Sequence, residues 1–377
     1  MAQTPAAAGL PAGAAAVTAP PLRGVYLPGS WPGEGGGVDP DGVTAEAVAR
    51  LMRAPLSLAA HDLACLADGE PRRGYVIYLV ESLCREPGIR VARAGDWSSF
   101  GDRTVLAKRH LWSRLPDLDR HLRYAAFAER SLPVLRRVRG EYGRSDLPLL
   151  AGIPSPLTAA AVVFGMAGLV LYRRPFRLAT AREMARIQAL GTDVMFQLEA
   201  PAETVALASA PAWLRPWLAR VLGADICRLA RMAPEGARLT VHLCLGSLND
   251  EPAIRLRSCK PLVLLANAIA RMWPGDRELV LLHLPLTTTA DPARLDTGFY
   301  APLARLRLPD GAQIAAGIVH AAQPYADQRQ ALRLVRAALP QQARLCVAPP
   351  CGLGRSTPHG AELAVQRAVV LAHSLSN

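Results

Sequence analysis

A histidine and a cysteine separated by one residue form the first pattern in this sequence that could do chemistry. His242 and Cys244 lie in the segment 238–246, which is rich in leucine and β-branched residues and is typical of a buried strand that ends at a glycine. Side chains two positions apart on a strand share a face, so the imidazole and the thiol project together. The pair is half of a zinc site, although two unrelated core residues would give the same spacing.

A second cysteine follows another apolar segment near the C-terminus. Residues 344–347 form a short apolar run, and Cys351 comes after two prolines and before a glycine-rich turn. If both segments are strands of one parallel barrel, their C-terminal ends lie on the same rim. Cys351 can then meet His242 and Cys244 to form a three-residue metal site.

Strand and helix patterns alternate along the chain in units of about 30 to 40 residues, which is typical of a parallel sheet. Apolar strands are predicted at 23–27, 75–80, 147–153, 193–198, 238–244, 278–284, 312–320 and 344–348. Helices are predicted at 44–52, 111–142, 180–190, 213–232, 261–272, 299–306, 327–338 and 358–375. Eight strands favour an α/β fold closed into a (β/α)8 TIM barrel, with the chemistry at the strand C-termini.

The domain organisation follows from the same patterns. We expect a single catalytic barrel over residues 22–377. Residues 1–21 are rich in alanine and proline, lack the charge pattern of a secretory signal and are expected to form a disordered arm. The apolar run 159–172 stops at two arginines, which favours a buried helix over a membrane span.

Composition argues against nucleic acid as a partner. The formal net charge is +12, but only Lys108 and Lys260 are lysines, so 43 − 2 = 41 of the basic residues are arginines spread along the chain. Aromatic residues make up 5% of the sequence, which leaves little for base stacking. The positive charge is better explained by an anionic small-molecule substrate. The seven cysteines, an odd number without a compact framework, favour a reducing, cytoplasmic compartment.

Four segments resemble, in order, motifs of the catalytic barrel of cobalamin-independent methionine synthase, within the superfamily that also includes uroporphyrinogen decarboxylase. Residues 29–32 resemble the family's G-S-F-P loop, and residues 197–201 resemble its Q-I-D-E-P-A strand end. Residues 242–244 resemble its zinc-binding H-x-C, and residues 350–353 resemble its P-D-C-G-L. A fifth, weaker match lies at 152–157, so the resemblance spans roughly residues 23–375.

The resemblance implies a zinc-dependent enzyme that transfers a methyl or alkyl group to a thiol such as homocysteine, as in methionine biosynthesis. Zinc held by His242, Cys244 and Cys351 would keep the acceptor sulfur as a thiolate, which is the nucleophilic form. The loop at Gly29 and Ser30 would bind the acceptor carboxylate. The implied donor is methyl-tetrahydrofolate or a methyl-corrinoid, the latter brought by a corrinoid protein.

Three positions depart from the family's pattern. Glu199 stands at the strand end where the family has Asp-Glu, and it is still expected to bind the acceptor's ammonium group. His283 takes the place of the glutamate ligand and is expected to bind zinc, the alternative being a strand-end histidine bonded to backbone. His320 lies two residues before the position of the family's proton-donating histidine, and we expect it to reach the same cavity as a catalytic acid.

These departures leave two other functions open. The first is a related zinc-dependent thiol transferase of specialised metabolism that uses another thiol or another electrophile, such as an epoxide. The second is a non-catalytic barrel that binds metal for stability or binds a partner. Metal analysis followed by an assay with a thiol and an alkyl donor separates the three.

Overall fold

The computed structural model describes residues 24–33, 43–68, 76–110 and 112–375. The arm predicted at 1–21 lies outside these residues, as do Arg23, Tyr75 and Leu111 at the starts of three predicted elements. The strands are β1 (Leu66–Ala67), β2 (Ile89–Arg93), β3 (Val105–Lys108), β4 (Leu149–Pro154), β5 (Val194–Glu199), β6 (Arg238–His242), β7 (Glu278–Pro285), β8 (Gln313–Gly317) and β9 (Leu345–Ala348).

The helices lie between and after the strands. They are α1 (Ala45–Ala59), α2 (Ile77–Cys84), α3 (Asp119–Leu122), α4 (Tyr124–Glu141), α5 (Pro156–Ala167), α6 (Arg173–Ala189), α7 (Pro201–Ser209), α8 (Arg215–Met232), α9 (Lys260–Met272), α10 (Thr297–Tyr300), α11 (Tyr325–Ala338) and α12 (Pro358–His373). A π-helix at Gly168–Tyr172 joins α5 to α6, and a 3-10 helix at Ala301–Arg305 follows α10.

Eight chain segments close into a barrel. Seven parallel strands are hydrogen-bonded in the order β1-β4-β5-β6-β7-β8-β9. Between β9 and β1, Val25 forms parallel bridges to Val347 and to Leu63, and the N–H of Tyr26 donates to the carbonyl oxygen of Val347 at 2.9 Å. The short segment at Val25 therefore takes the eighth position, and the predicted TIM barrel is confirmed.

Alternate side chains of one strand fill the inside of the barrel and rise to its rim. Met195 on β5 belongs to a small apolar cluster formed by residues of the barrel segments. Two residues later Gln197 accepts a hydrogen bond from the hydroxyl of Tyr26 at 2.5 Å, and two residues later again Glu199 ends the strand. Because positions two apart share a face, this alternation carries Glu199 to the mouth of the barrel.

The other face of each strand packs against the surrounding helices. Phe196 on β5 and Val241 on β6 belong to the main apolar core. Helix α8 covers this layer with Leu222, Ile226 and Leu229, whose spacing of three and four residues places them on one helical face. Burial of this face, rather than helix propensity alone, stabilises the helix.

The second predicted strand is wrong. Residues 75–80 are rich in β-branched and aromatic side chains, but from Ile77 they form α2, which buries Tyr78, Leu79 and Leu83. Tertiary packing decides in such short apolar runs, where periodicity does not distinguish a strand from a helix. The second barrel strand is Leu66–Ala67, which is too short and too alanine-rich to give a strand pattern.

The long helix predicted at 111–142 is also wrong in its first part. Residues 112–118 are not helical, and α3 is separated from α4 by Arg123, which has a left-handed φ of 56°. An antiparallel hairpin of β2 and β3, which was not predicted, precedes them. Helix α4 packs on α1, α6 and β4 as part of the helical layer, and α2 with the β2–β3 hairpin forms an insertion before it.

The segment Pro156–Ala189 is long and apolar enough to qualify as a candidate membrane span, and half of its most apolar window is buried inside the protein. Gly165, with a φ of 58°, interrupts α5, and the π-helix follows before α6 begins. Helix α5 packs against α7 and β3. The interruptions and the packing are those of a core helix, as the sequence predicts for 159–172.

Candidate metal and substrate site

Three neighbouring strands bring polar side chains to the same level of the rim. In the parallel register Glu199 of β5 pairs with His242 of β6, and His242 pairs with His283 of β7. All three side chains are at least nine-tenths buried. The backbone hydrogen bonds of the sheet fix this register. They therefore also fix the order of the three side chains along the rim, which is a carboxylate followed by two imidazoles.

The rim also carries the cluster that the sequence predicts. One ligand atom each of His242, Cys244 and Cys351 lies within 4.8 Å of the others. The two sulfur atoms are 3.6 Å apart, although the residues are separated by 107 positions in sequence. The hydroxyl of Ser247 lies 3.1 Å from the sulfur of Cys351, and the backbone N–H of Gly246 donates to the sulfur of Cys244 at 3.3 Å.

The two thiols of the cluster have opposite acidities. The pKa of Cys351 lies well below its usual range, first because Cys244 donates a hydrogen bond to it and also because His242 and Ser247 stabilise its charged form. The pKa of Cys244 is raised, first by the same hydrogen bond and then by burial. Of the two thiols, Cys351 is therefore the one that loses its proton more readily.

This donor set fits zinc. One imidazole nitrogen and two sulfurs are the ligands that zinc prefers, and three protein ligands leave a fourth position for substrate. The Nε2 atom of His242 is buried and has no hydrogen-bond partner among the described residues, which leaves its lone pair or proton uncompensated. A metal ion bound to the cluster would satisfy both that nitrogen and the thiolate of Cys351.

His283 lies against the ring of His242. Its Nδ1 is 2.5 Å from the Nδ1 of His242, and the two rings stack with centroids 4.5 Å apart. Burial, followed by the charge of His242, lowers its pKa well below the usual value, so it is neutral. Gly317 leaves room for the ring, because a Cβ there would lie 2.8 Å from the Nε2 of His283. His283 is not part of the three-residue cluster.

Glu199 is held at the rim by a chain of hydrogen bonds that begins inside the barrel. The Tyr26 hydroxyl donates to Gln197, and the Gln197 amide donates to the Oε1 of Glu199 at 2.8 Å. Glu199 lines the cavity in front of the cluster. Its charge raises the pKa of Cys244, so the carboxylate and the thiols face the same space.

The predicted carboxylate-binding loop lies against the turn that carries Cys351. Gly29 has a φ of 97°, a left-handed conformation that glycine adopts without strain. A Cβ at Gly352 would lie 2.6 Å from the carbonyl oxygen of Pro28, so the two glycine-rich turns touch through their backbones. Gly29 and Ser30 line the same cavity as Glu199 and Cys351.

The cavity at this rim has a volume of about 470 Å³, within the range of about 300 to 1,000 Å³ that small-molecule sites span. Part of its wall comes from the insertion, whose residues 94–104 form the loop of the β2–β3 hairpin, called the hairpin loop below. Trp97, Phe100 and Arg103 of this loop line the cavity. No motif in the sequence predicts these three residues. Two large aromatic side chains in an otherwise polar turn are the feature that points to them.

His320 lies away from this cavity. Its Nε2 is 3.1 Å from the carbonyl oxygen of Thr289, and its backbone N–H donates to Gln328. The described cavity lining does not include it. A role for His320 as the proton donor stays a prediction from the sequence.

Comparison with known proteins identifies the fold. No protein-family model matches the sequence, and no curated protein matches it. A solved B12-independent methionine synthase from a Shewanella species, in complex with selenomethionine, superposes with a TM-score of 0.58 at 14% identity, covering 94% of this chain and 100% of that one. A methyltransferase from Methanosarcina mazei superposes with a TM-score of 0.53 at 14% identity, covering 95% of this chain and 96% of that one. The predicted resemblance is confirmed at the level of the fold.

Proposed function

We propose that the protein is a zinc-dependent alkyltransferase that methylates or alkylates a thiol, in the manner of a cobalamin-independent methionine synthase. The observation that carries the proposal is the convergence of His242, Cys244 and Cys351 on one point of the rim. The methyltransfer activity named for the two structural neighbours supports it. Zinc bound to these residues would supply a positive charge that keeps an acceptor thiol deprotonated at neutral pH.

The surrounding residues position the acceptor. Glu199 would accept hydrogen bonds from an α-ammonium group, since Gln197 already fixes one of its oxygens at 2.8 Å. The backbone at Gly29 and Ser30 would bind the α-carboxylate. The acceptor is then an amino-acid thiol such as homocysteine, and its sulfur reaches the cluster from the side of Cys351.

We propose that His283 supports His242. If the Nδ1–H of His242 donates to the Nδ1 of His283 at 2.5 Å, the Nε2 of His242 faces the metal with its lone pair. In that arrangement His283 orients a ligand. The prediction from the sequence is instead that His283 binds zinc directly. The two roles of His283 differ in the number of imidazoles bound to zinc, which is one if it only orients His242 and two if it is a ligand. The role of His320 as proton donor is kept only as the prediction from the sequence, since His320 is not among the residues that line the cavity.

The setting of the reaction follows from the thiols and the small substrates. All seven cysteines are free, which agrees with a reducing, cytoplasmic setting. The partners are an amino-acid thiol and an alkyl donor, with methyl-tetrahydrofolate and a methyl-corrinoid protein as the two candidate donors. The related thiol transferase that uses another electrophile is the second candidate, because Trp97 and Phe100 of the hairpin loop add aromatic surface to the cavity lining.

Metal analysis and two assays test the proposal. We expect the reduced protein to contain about one zinc per chain, and X-ray absorption to count two sulfurs with one imidazole if His283 only supports His242, or two if it is a ligand. Homocysteine would then be incubated with methyl-tetrahydrofolate or methylcobalamin, and methionine measured by mass spectrometry. Absence of zinc would refute the proposal. If zinc is present but neither donor yields methionine, the related transferase that uses another electrophile would be favoured.

A further inference from the structure

The hairpin loop is held over the cavity by specific contacts. The amide of Asn249 donates to the carbonyl oxygens of Trp97 and Ser98 at 3.0 and 3.2 Å. Phe100 packs on Gly246, where a Cβ would lie 2.7 Å from the end of the phenyl ring. Trp97 has a φ of 63°, which a bulky residue adopts only when the surrounding structure holds it. The aromatic side chains are therefore built into the wall of the cavity.

The residues that line the cavity are of two chemically different kinds, which are called its two halves below. The rim half contains the thiols, the imidazole of His242 and the carboxylate of Glu199. The other half is apolar and is contributed by the hairpin loop and by the nearby helices. It consists mainly of Val76, Ile77, Trp97, Phe100, Val162 and Val205. If the acceptor thiol binds at the rim, as proposed above, the apolar residues are left for the other substrate.

Two arginines, Arg103 and Arg355, are among the residues that line the cavity, and Arg103 is the one on the hairpin loop. The Nη1 of Arg103 donates to the carbonyl oxygen of Phe100 at 2.7 Å, and its Nε is buried with no hydrogen-bond partner among the described residues. Within the described part of the chain, no carboxylate forms an ion pair with it. Burial, followed by the charge of the nearby Arg93, lowers the pKa of the Arg103 guanidinium. An anion beside Arg103 would offset this effect.

We propose that the apolar half of the cavity binds the alkyl donor, and that the donor is an apolar, ring-sized molecule with a carboxylate that pairs with Arg103. The inference rests on the proposed alkyl transfer. The acceptor sulfur attacks the donor's alkyl carbon, so a sulfur–carbon bond forms as the bond from carbon to the leaving group breaks. The leaving group departs with the electron pair and takes up the proton that the acceptor thiol has lost.

A matched pair of probes tests the donor pocket without any reaction. Calorimetry on the purified protein would compare 4-phenylbutyrate with its neutral amide, which has the same size and ring. We expect the carboxylate to bind roughly tenfold more tightly, as one charge-assisted hydrogen bond in a partly exposed site provides. Arg103→Gln should abolish this preference and leave the binding of the amide unchanged. Trp97→Ala should weaken the binding of both probes.

Control variants separate the pocket from the fold and from the proposed function. Arg90→Gln changes an exposed arginine on β2 and should behave as the wild type, while Arg103→Lys should recover part of the preference. Equal binding of the two probes to the wild type, or a preference that survives in Arg103→Gln, would overturn the donor pocket even if the thiol is alkylated. A preference that depends on Arg103 in a protein without zinc would leave the pocket in place and refute the alkyltransferase.

Discussion

Two walls of the same cavity are built in different ways. The rim wall consists of residues at the ends of barrel strands, where the register sets Glu199 beside His242 and His242 beside His283. The opposite wall comes from the hairpin loop, which is attached to the barrel by side-chain contacts such as that of Asn249. The reactive centre is therefore fixed by the backbone of the barrel, and the donor side depends on an insertion that could change without altering the barrel.

The largest effect is expected on the rim. Cys351→Ser and Cys244→Ser should each lower the zinc content of the reduced protein by at least about tenfold, because an oxygen is a poor substitute for a thiolate on this ion. The measurement is metal analysis after gel filtration. Cys84→Ser, which removes an exposed thiol, is the control and should keep its zinc. Full zinc content in both ligand variants would remove the cluster from the proposed function.

Glu203 has a buried carboxyl group, which should make the stability of the protein depend on pH. Glu203 accepts hydrogen bonds from the hydroxyls of Ser155, at 2.5 Å, and Thr158, at 3.0 Å, which joins the start of α5 to α7. Burial is the first cause that raises its pKa from 4.5 to about 7. The folded state therefore binds the proton more tightly than the unfolded state does. The stability this provides is complete below pH 4.5 and is lost as the pH rises to about 7.

The expected loss is about 3 kcal/mol in the free energy of unfolding between pH 4.5 and 7, relative to a variant without this carboxyl. Glu203→Gln should flatten the dependence, while Glu235→Gln at an exposed position should not. Denaturant unfolding at several pH values measures the difference between variants, so titrating groups that they share cancel. The same slope in Glu203→Gln as in the wild type would contradict the assignment.

Glu199 tests the acceptor side of the rim. Glu199→Ala should weaken the binding of homocysteine by about 1.5 to 3 kcal/mol, since a hydrogen bond between charged groups is lost. Zinc content should stay normal, because the carboxylate is not part of the metal cluster. Calorimetry of the metal-loaded protein gives the affinity. Unchanged binding would mean that the acceptor is not an amino-acid thiol, and the transferase with another substrate would then be favoured.

The contrast between the two walls also explains what the sequence could predict. The strands β5, β6 and β9 are apolar runs that end in glycine or proline, so both the barrel and the position of His242, Cys244 and Cys351 follow from local patterns. The hairpin loop is positioned by contacts between residues about 150 positions apart in sequence, such as the hydrogen bond from Asn249 to Trp97. No local pattern encodes such a contact.

Two other features of the structure depend on tertiary packing. The strand Leu66–Ala67 has only two residues and is defined by its pairing with β4. The neighbouring β-branched run at 75–80 has the stronger strand pattern, so the sequence predicts the second barrel strand there. The strand position of His283 was predicted, but the orientation of its ring depends on stacking with His242 and on the space left at Gly317. Ring orientation is a property of packing and is not visible in sequence spacing.

The smallest effect is expected where the two walls meet, at Asn249. Its φ of 52° is a left-handed conformation that glycine tolerates, so Asn249→Gly removes the side-chain amide without straining the backbone. Two partly exposed hydrogen bonds to the hairpin loop are lost, together worth about 1 kcal/mol. The loop should open roughly five times more often, and the binding of 4-phenylbutyrate should weaken by at most about fivefold, because affinity follows the fraction of closed loop.

Hydrogen exchange measures this opening directly. In the closed loop the N–H of Trp97 donates to the carbonyl oxygen of Asp102 at 2.9 Å, so its exchange rate should rise in Asn249→Gly. Amides of β6 should exchange as in the wild type, and zinc content should not change, because the rim is held by the barrel. Asn249→Asp, which tolerates the same φ but has no amide to donate, should act like the glycine variant. If β6 or the metal changes together with the loop, the two walls are one cooperative unit, and donor selection is not separable from the reactive centre.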